Sequence, residues 1–300
     1  MSTIDKNQSG LIDKSKKNNK DISLIQQLWR NIADDRLTLF FFFVLLAIIV
    51  ISILARFIAP FSPVDQSLLR INEGPSATYL LGTDQYGRDV YSRIVFGSRT
   101  SLILGVLSPV LAALIGVTVG LVGGYFGGWI DRIAGRIIDI LLAFPALLLG
   151  ILVAAVLSSG FWSMVAVLVI AFAPRFARIA RASTLALRSE PFIDAAIAAG
   201  VSHFYIILRH ILPNVAGSIV VVLTLWIATA IRLEATLSFL GLGTQPPEPS
   251  WGNIIRDGLH NMTTSPWPVI GAGFAISLTV LAFNMIGDSI RDVLDPEARV

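Results

Sequence analysis

Three histidines, no cysteine, and five lysines confined to positions 6–20 leave this 300-residue chain poorly equipped for covalent catalysis or metal binding. Without cysteine there is no thiolate nucleophile, thiolate zinc site or disulfide framework. His203 and His210 stand seven apart on one predicted helical face, but no carboxylate or cysteine at matching spacing completes a metal site. A phosphate-binding loop needs G-x4-G-K-[ST], and no lysine follows Lys20, so the chain has no Walker A site of its own. Ser158 and Ser159 read as a turn, because no histidine falls inside a predicted span to serve as their base. What remains are charges within apolar stretches, which are functional candidates by default. Arg136 and Asp139 lie three apart, a spacing at which side chains on one helix meet. They read either as a structural clasp near one end of a helix or as a solute contact. Arg232 and Glu234, two apart, cannot face each other, so each needs a partner elsewhere or lines the mouth of a pathway.

The elements that must position these residues are membrane-spanning. Hydrophobic residues make up 54% of the chain, charged residues only 14%, and the mean hydropathy is +0.73, whereas soluble domains are about a quarter charged. Because a helix needs roughly 20 apolar residues to cross the hydrocarbon, uncharged runs predict six crossings in an all-α integral membrane protein. The first is Leu37 to Ile58, with Arg56 near its end. The second, Thr100 to Ile130, runs into the glycine cluster around Gly123-Gly124 and Gly127-Gly128. The third is expected to begin near Ala134 and end at Ser158-Ser159-Gly160, and the fourth to continue past Arg175. The fifth is expected from about Val215 to Ser238 and the sixth from Trp267. Gly116, Gly120 and Gly124 form a small-xxx-small stripe suited to close helix packing within the subunit. Pro109, Pro145 and Pro174 each bend or end a helix.

The net charge of +3 does not indicate nucleic acid, because the basic residues sit at the tail, in loops and at helix ends. They orient the chain instead. The N-terminal tail carries all five lysines with Arg30 and Arg36, and the segment after the fourth span carries Arg178, Arg181, Arg188 and Arg209. Both termini are therefore expected in the cytoplasm, with residues 60–99 and 240–266 on the far side. The first apolar run exceeds the 7–15 residues of a signal-peptide core and reads as an uncleaved anchor. Just before it, Ile25, Leu28, Trp29 and Ile32 share one helical face, an interfacial amphipathic helix or an inward extension of the first span. The resulting organisation is a cytoplasmic tail with an amphipathic helix (1–36), the first span (37–58), an extracytoplasmic segment (59–99), a five-helix core (100–290) and a cytoplasmic C-terminal tail (291–300).

Within that core, the connection 190–213 is long and reads as two short helices. Glu190-Pro191 suits a helix start, Gly200 a left-handed helix end, and Ser202 an N-cap for His203 to Ile211, with Pro213 as a stop and Asn214 as cap of the fifth span. Ala195, Ala196, Ala198 and Ala199 beside Ile206, Ile207 and Leu208 are expected to form its outer surface and to dock into another protein's groove.

Here the chain resembles a known family. Asp194-Ala195-Ala196, three residues, Gly200, nine residues, then His210-Ile211-Leu212-Pro213 looks like the EAA motif of binding-protein-dependent ABC importer permeases. Asp194 replaces the usual Glu, keeping its charge, and His210 replaces the usual Ile. Leu81-Gly82-Thr83-Asp84 with Gly87-Arg88-Asp89, Arg209 through Asn214, and Leu237 through Gly243 followed by Pro247 and Trp251-Gly252 are similar to the C-type permease of dipeptide, oligopeptide, nickel and glutathione importers. Asn284, Gly287-Asp288, Arg291-Asp292 and Leu294-Asp295-Pro296 match the C-terminal signature of that group. The resemblance implies a type I ABC importer permease fold with a cytoplasmic coupling-helix loop in a bacterial inner membrane. It implies a loop made of Glu190, Asp194, Ala195, Ala196, Gly200, Arg209, His210, Leu212 and Pro213 that engages an ATPase. The partners it implies are a homologous B-type permease, two cytoplasmic ATPase domains that bind ATP and Mg in place of this chain, and an extracytoplasmic solute-binding protein. The implied cargo is a small peptide or related solute. A secondary transporter or channel uncoupled from ATP is the competing reading, although no inverted repeat of the kind common in such proteins is apparent.

Overall fold

A computed structural model describes residues 24–294, and among them only helices, connecting segments and one isolated bridge, Thr83 with Asp89, are present. The lysine-bearing tail and the signature residues Asp295-Pro296 lie outside the described residues. Helix α1 (Leu24–Asp34) and helix α2 (Arg36–Ile53) are separate elements. Asp35 divides them by capping α2, accepting the backbone N–H of Leu37 and of Thr38 at 3.1 Å each. The Thr38 hydroxyl together with those two amides holds the Asp35 carboxyl below its usual range. The segment before the first span is therefore a helix of its own and not an extension of that span. Asn31 ties it to the C-terminal helix by donating to the carbonyl and the hydroxyl of Ser289, both at 3.2 Å.

After the short α3 (Ala55–Ile58), the chain crosses an irregular segment and enters α4 (Val90–Phe126), which starts ten residues before the expected Thr100. The charges that argued for a later start are satisfied by other parts of the fold. Arg99 donates to the carbonyls of Ser52 and Ile53 at 2.6 Å each, and Arg93 joins an ion-pair network described below. Helix α4 ends as expected at Gly127, whose φ of +65° is costly for residues with a Cβ.

The third crossing departs from its expected form. It begins at Gly128, not near Ala134, and consists of α5 (Gly128–Ala143) and α6 (Ala146–Val156), bent by 99°. Pro145 is the cause: a proline drives the residue before it out of the helical region, and Phe144 is extended at ψ 134°. Helix α7 (Phe161–Arg188) keeps Pro174 inside a continuous helix. Among the described residues, five helices are long and apolar enough to cross a membrane, or six when the bent pair α5–α6 is counted as one span.

The most extensive pairing in the fold is α4 against α7, and the glycine stripe makes it possible. A Cβ on Gly116 would collide with the Ala173 carbonyl. One on Gly120 would lie 2.8 Å from the Ala180 Cβ, and one on Gly124 would lie 2.9 Å from the Thr184 Cβ. The stripe thus packs two helices of the same subunit, and Phe172, Phe176, Met164 and Leu168 fill the core beside it. Substituting Gly120 by leucine would force the two backbones apart. Overpacking of this kind typically costs about 1–3 kcal/mol, so G120L is expected to lower the thermal unfolding midpoint of the detergent-solubilised protein, measured against wild type.

Candidate functional site

The connection after α7 folds as the sequence indicates and then departs from it. Pro191 opens α8 (Pro191–Ala198), with Glu190 extended ahead of it. Gly200 closes the turn at φ +78°, and the amides of Gly200 and Val201 return to the carbonyls of Ile197 and Ala196 at 2.9 and 3.1 Å. No atom lies within 4 Å of where a Gly200 Cβ would stand, so backbone conformation alone favours glycine there. Ser202 caps α9 (His203–Tyr205), accepting the Tyr205 amide.

No break follows at Pro213, and Asn214 caps nothing. Residues Ile206–Ile211 form a turn of π-helix that merges α9 into α10 (Leu212–Phe239), giving one helix from His203 to Phe239. Proline is tolerated because it falls in the first turn beyond the wide segment. Asn214, inside the helix, donates its side-chain N–H to the His210 carbonyl at 2.6 Å. The extra residue in the wide turn also separates the two histidines. His203 shares a 2.7 Å hydrogen bond with the Tyr125 hydroxyl, whereas His210 packs edge-on against Phe192 and Tyr205.

Two faces of the loop can now be told apart. Ile193, Ile206 and Ile211 are fully buried and Ile207 nearly so, which anchors the loop to the bundle. The expectation that Ile206 and Ile207 lie on the outer surface is therefore corrected. The exposed apolar groups are Phe192, Phe204, Tyr205 and Leu208, beside exposed Ala195, Ala198 and Ala199, with Ala196 half-buried. Asp194 and Arg209 are also exposed, Leu212 packs onto the core, and Asp194 pairs with Arg188 at 3.2 Å. That pair is too solvated to contribute much. Tyr125, at the last turn of α4, was not singled out by sequence reasoning. It holds His203 through its hydroxyl and lies under the Arg188 guanidinium at 5.6 Å. Its position beside the glycine cluster that ends α4 was the one available signal.

At the opposite end of the bundle, the Leu81–Asp89 motif makes a tight bridged turn. Asp84 accepts the amides of Tyr86 and Arg88 at 2.9 and 3.0 Å and pairs with the Arg88 side chain at 2.7 Å. Asp89 caps α4 by accepting the Ser92 amide at 2.8 Å. Asp257, on α11 (Trp251–Leu259), reaches Arg88 at 3.1 Å and Arg93 at 3.5 Å, while Arg93 also meets Asp84 at 3.4 Å. Arg88, Arg93, Asp84 and Asp257 thus share one nearly buried network joining residues 84–93 to α11, and Arg256 reaches Asp257 from its rim at 3.3 Å. Trp251 wedges in next to it, donating its indole N–H to the Ile94 carbonyl at 3.1 Å. The last span, α12 (Trp267–Leu294), begins where expected.

The intramembrane charges are arranged differently from their spacing. Arg136 and Asp139 form no ion pair. Instead Asp131 pairs with Arg181 on α7 at 2.5 Å, because α7 presents its guanidinium directly across from the start of α5. Arg232 is exposed and contacts Thr229. Glu234 is fully buried, accepts from Ser238 at 2.7 Å and is bordered by Ser101 and Ser250. The two residues therefore do not act at one mouth.

The description "binding-protein-dependent transport system inner membrane component" matches residues 116–300, and "N-terminal TM domain of oligopeptide transport permease C" matches residues 23–75. The chain is 42% identical to the glutathione transport system permease protein GsiD of Escherichia coli O157:H7 over 274 residues, covering 91% of this chain and 90% of that one. It is 43% identical to the protein of the same name in Shigella flexneri serotype 5b over the same length and shares. A solved structure titled as inward-facing conformations of the MetNI methionine ABC transporter superposes with a TM-score of 0.55 at 19% identity, over 67% of this chain and 96% of that one. At that identity the likeness speaks to the fold alone.

The Arg88–Asp84–Arg93–Asp257 network supplies a direct stability test. Asp257→Asn would leave two buried guanidinium groups sharing one carboxylate, and breaking a buried pair in this way costs about 3–5 kcal/mol. Thermal unfolding of the solubilised variant is expected to show a lowered midpoint, larger than that of a substitution at the exposed Arg188–Asp194 pair.

Proposed function

The chain belongs to the family of binding-protein-dependent transport system inner membrane components, and from that premise we propose how it works as part of a larger machine. It is the permease subunit of an ATP-driven importer, a multi-pass inner-membrane protein of the peptide and glutathione transport group. In our reading both termini and the loop 190–213 face the cytoplasm, and residues 59–99 with 240–266 face outward. A second, homologous permease completes the pathway. Two cytoplasmic ATPase domains bind and hydrolyse ATP with Mg, and an extracytoplasmic binding protein delivers a small peptide or related solute, as the name of the glutathione permeases suggests.

The observation that carries this reading is the continuous helix from His203 to Phe239. Its first turns lie in the loop and its remainder spans the membrane, so a push on the loop moves the span as a rod. Buried Ile193, Ile206 and Ile211 fix the loop to the bundle, while Phe192, Phe204 and Leu208 present an apolar face to a partner. An apolar patch of this kind marks an interaction surface. Closure of the ATPase pair on ATP would displace that face, and α10 would carry the displacement toward the opposite end, where Glu234 packs against α11. Tyr125 would relay the same displacement to α4 through His203.

The test uses Gly200→Arg and Asp194→Arg in the reconstituted importer. Both variants are expected to insert in the membrane and to retain ATPase activity while losing ATP-driven uptake. Full uptake by Gly200→Arg would contradict the coupling role of the loop.

A further inference from the structure

One group of charges is not used by the coupling loop or by the outer network. Helix α7 carries Arg175, Arg178 and Arg181 at successive three-residue steps, so neighbouring side chains lie on adjoining positions of one face. The lower part of this ladder opens on a cavity of about 470 Å³, walled on the other side by α5 with Arg132, Arg136, Asp131 and Asp139. Asp131 is already engaged by Arg181. Three arginines, Arg132, Arg136 and Arg178, therefore share the cavity with Asp139, a carboxylate in no ion pair but within electrostatic reach of Arg181, and among the described residues none of the three arginines forms an ion pair.

Arg175, at the head of the ladder, is the deepest of these cations. Fourteen residues separate it from Phe161 at the other end of α7, which is about 21 Å along a helix and places it well inside a hydrocarbon core about 30 Å thick. A cation at such depth faces protein or a water-filled cavity, not lipid tails. Its guanidinium lies 4.8 Å from the Trp226 ring and 5.7 Å from the Phe172 ring, and it donates one hydrogen bond, to the Ala171 carbonyl at 2.8 Å. A guanidinium has five N–H donors in a fork that matches a carboxylate, so most of its capacity is uncommitted to this chain.

We propose that the α7 arginine ladder and the cavity between α5 and α7 form an anion-selective lane of the translocation pathway, recognising the carboxylates of an acidic peptide solute. The inference rests on the importer reading above and adds to it the charge class of the solute and the residues that select it. Arg175 holds a carboxylate near the middle of the membrane, and Arg178 with Arg136 receives it at the cytoplasmic vestibule. Asp139 limits the grip so that the solute is released. A phospholipid headgroup presents a similar anion, but it resides at the membrane surface and would engage only the lower rungs, leaving the deep Arg175 unexplained.

The experiment uses the complete importer with its binding protein in proteoliposomes, fed with Ala-Asp-Ala, Ala-Ala-Ala and Ala-Lys-Ala. The readout is the ratio of ATP-driven uptake of the aspartate peptide to that of the alanine peptide. The same binding protein serves wild type and variants, so a change in this ratio reports on the permease. A charge-assisted hydrogen bond contributes about 1.5–3 kcal/mol, so the double variant Arg175→Gln, Arg178→Gln is expected to lower the ratio by about tenfold or more. The Lys counterparts are expected to retain most of it. An unchanged ratio, including an equal fall for all three peptides, would show a structural role and overturn the proposal. An equal fall that disappears in liposomes without phosphatidylglycerol would assign the site to a lipid headgroup and overturn it as well. Absence of ATP-driven uptake of every peptide by the wild type would instead contradict the importer reading, and this inference would fall with it.

Discussion

The arrangement depends first on a backbone constraint. Inside hydrocarbon every N–H and C=O must find a partner within the protein, so the groups a proline frees must be satisfied again by an altered turn, a side chain or a bend. Between the loop and the fifth span the chain meets this demand with a π turn over Ile206–Ile211 and a side-chain hydrogen bond from Asn214 to the His210 carbonyl. The result is a single helix that begins outside the bundle and ends beside the buried Glu234 and Ser238. The opposite solution appears in the third span, where Pro145 produces a bend of 99°. One span stays continuous through its irregular turn and the other is broken at its proline. The residue before Pro213, Leu212, stays helical, whereas the residue before Pro145, Phe144, is extended at ψ 134°.

Around that rod, close packing and buried charge hold the frame. The glycine stripe on α4 brings its backbone directly against α7, including the Cβ atoms of Ala180 and Thr184. Without a hydrophobic drive between helices in lipid, such contact is a main source of association. At the outward end in our reading, Arg88 and Arg93 pair with Asp84 and Asp257, which Arg256 also reaches, and tie the segment before α4 to α11. A network of this kind contributes little net stability compared with apolar packing, but it tolerates no missing member. It fixes the turn at residues 84–93 against α11.

Much of this was legible in the residues. Uncharged runs located the spans because charge is costly in lipid, and the end of α4 and the starts of α7 and α12 fell where glycine, serine and tryptophan indicated. The EAA-like loop was identified by its resemblance to a family motif, and the helix start at Pro191 and end at Gly200 that its residues indicated hold. Three features were misread for a common reason: a local rule was overridden by a partner distant in sequence or by an irregular turn. Arg136 and Asp139 satisfy helical spacing, yet the ion pair forms between Asp131 and Arg181, fifty residues apart. The early start of α4 depends on carbonyls of α2 that satisfy Arg99. The π turn changes the register of the loop helix, so Ile206 and Ile207 face inward and the two histidines part.

The central claim is that the exposed face of the loop meets an ATPase and passes its movement into α10. Phe204 is 73% exposed on that face, so an aromatic photo-crosslinking residue placed there changes little else. Irradiation of the assembled importer in its native membrane, with adducts identified by mass spectrometry, tests the contact directly. The account predicts an adduct with a Walker-A-containing ATPase whose yield changes when ATP is added, and none from the same probe at the exposed Leu152 on α6. Adducts only with lipid, with the second permease or with the extracytoplasmic binding protein would contradict it.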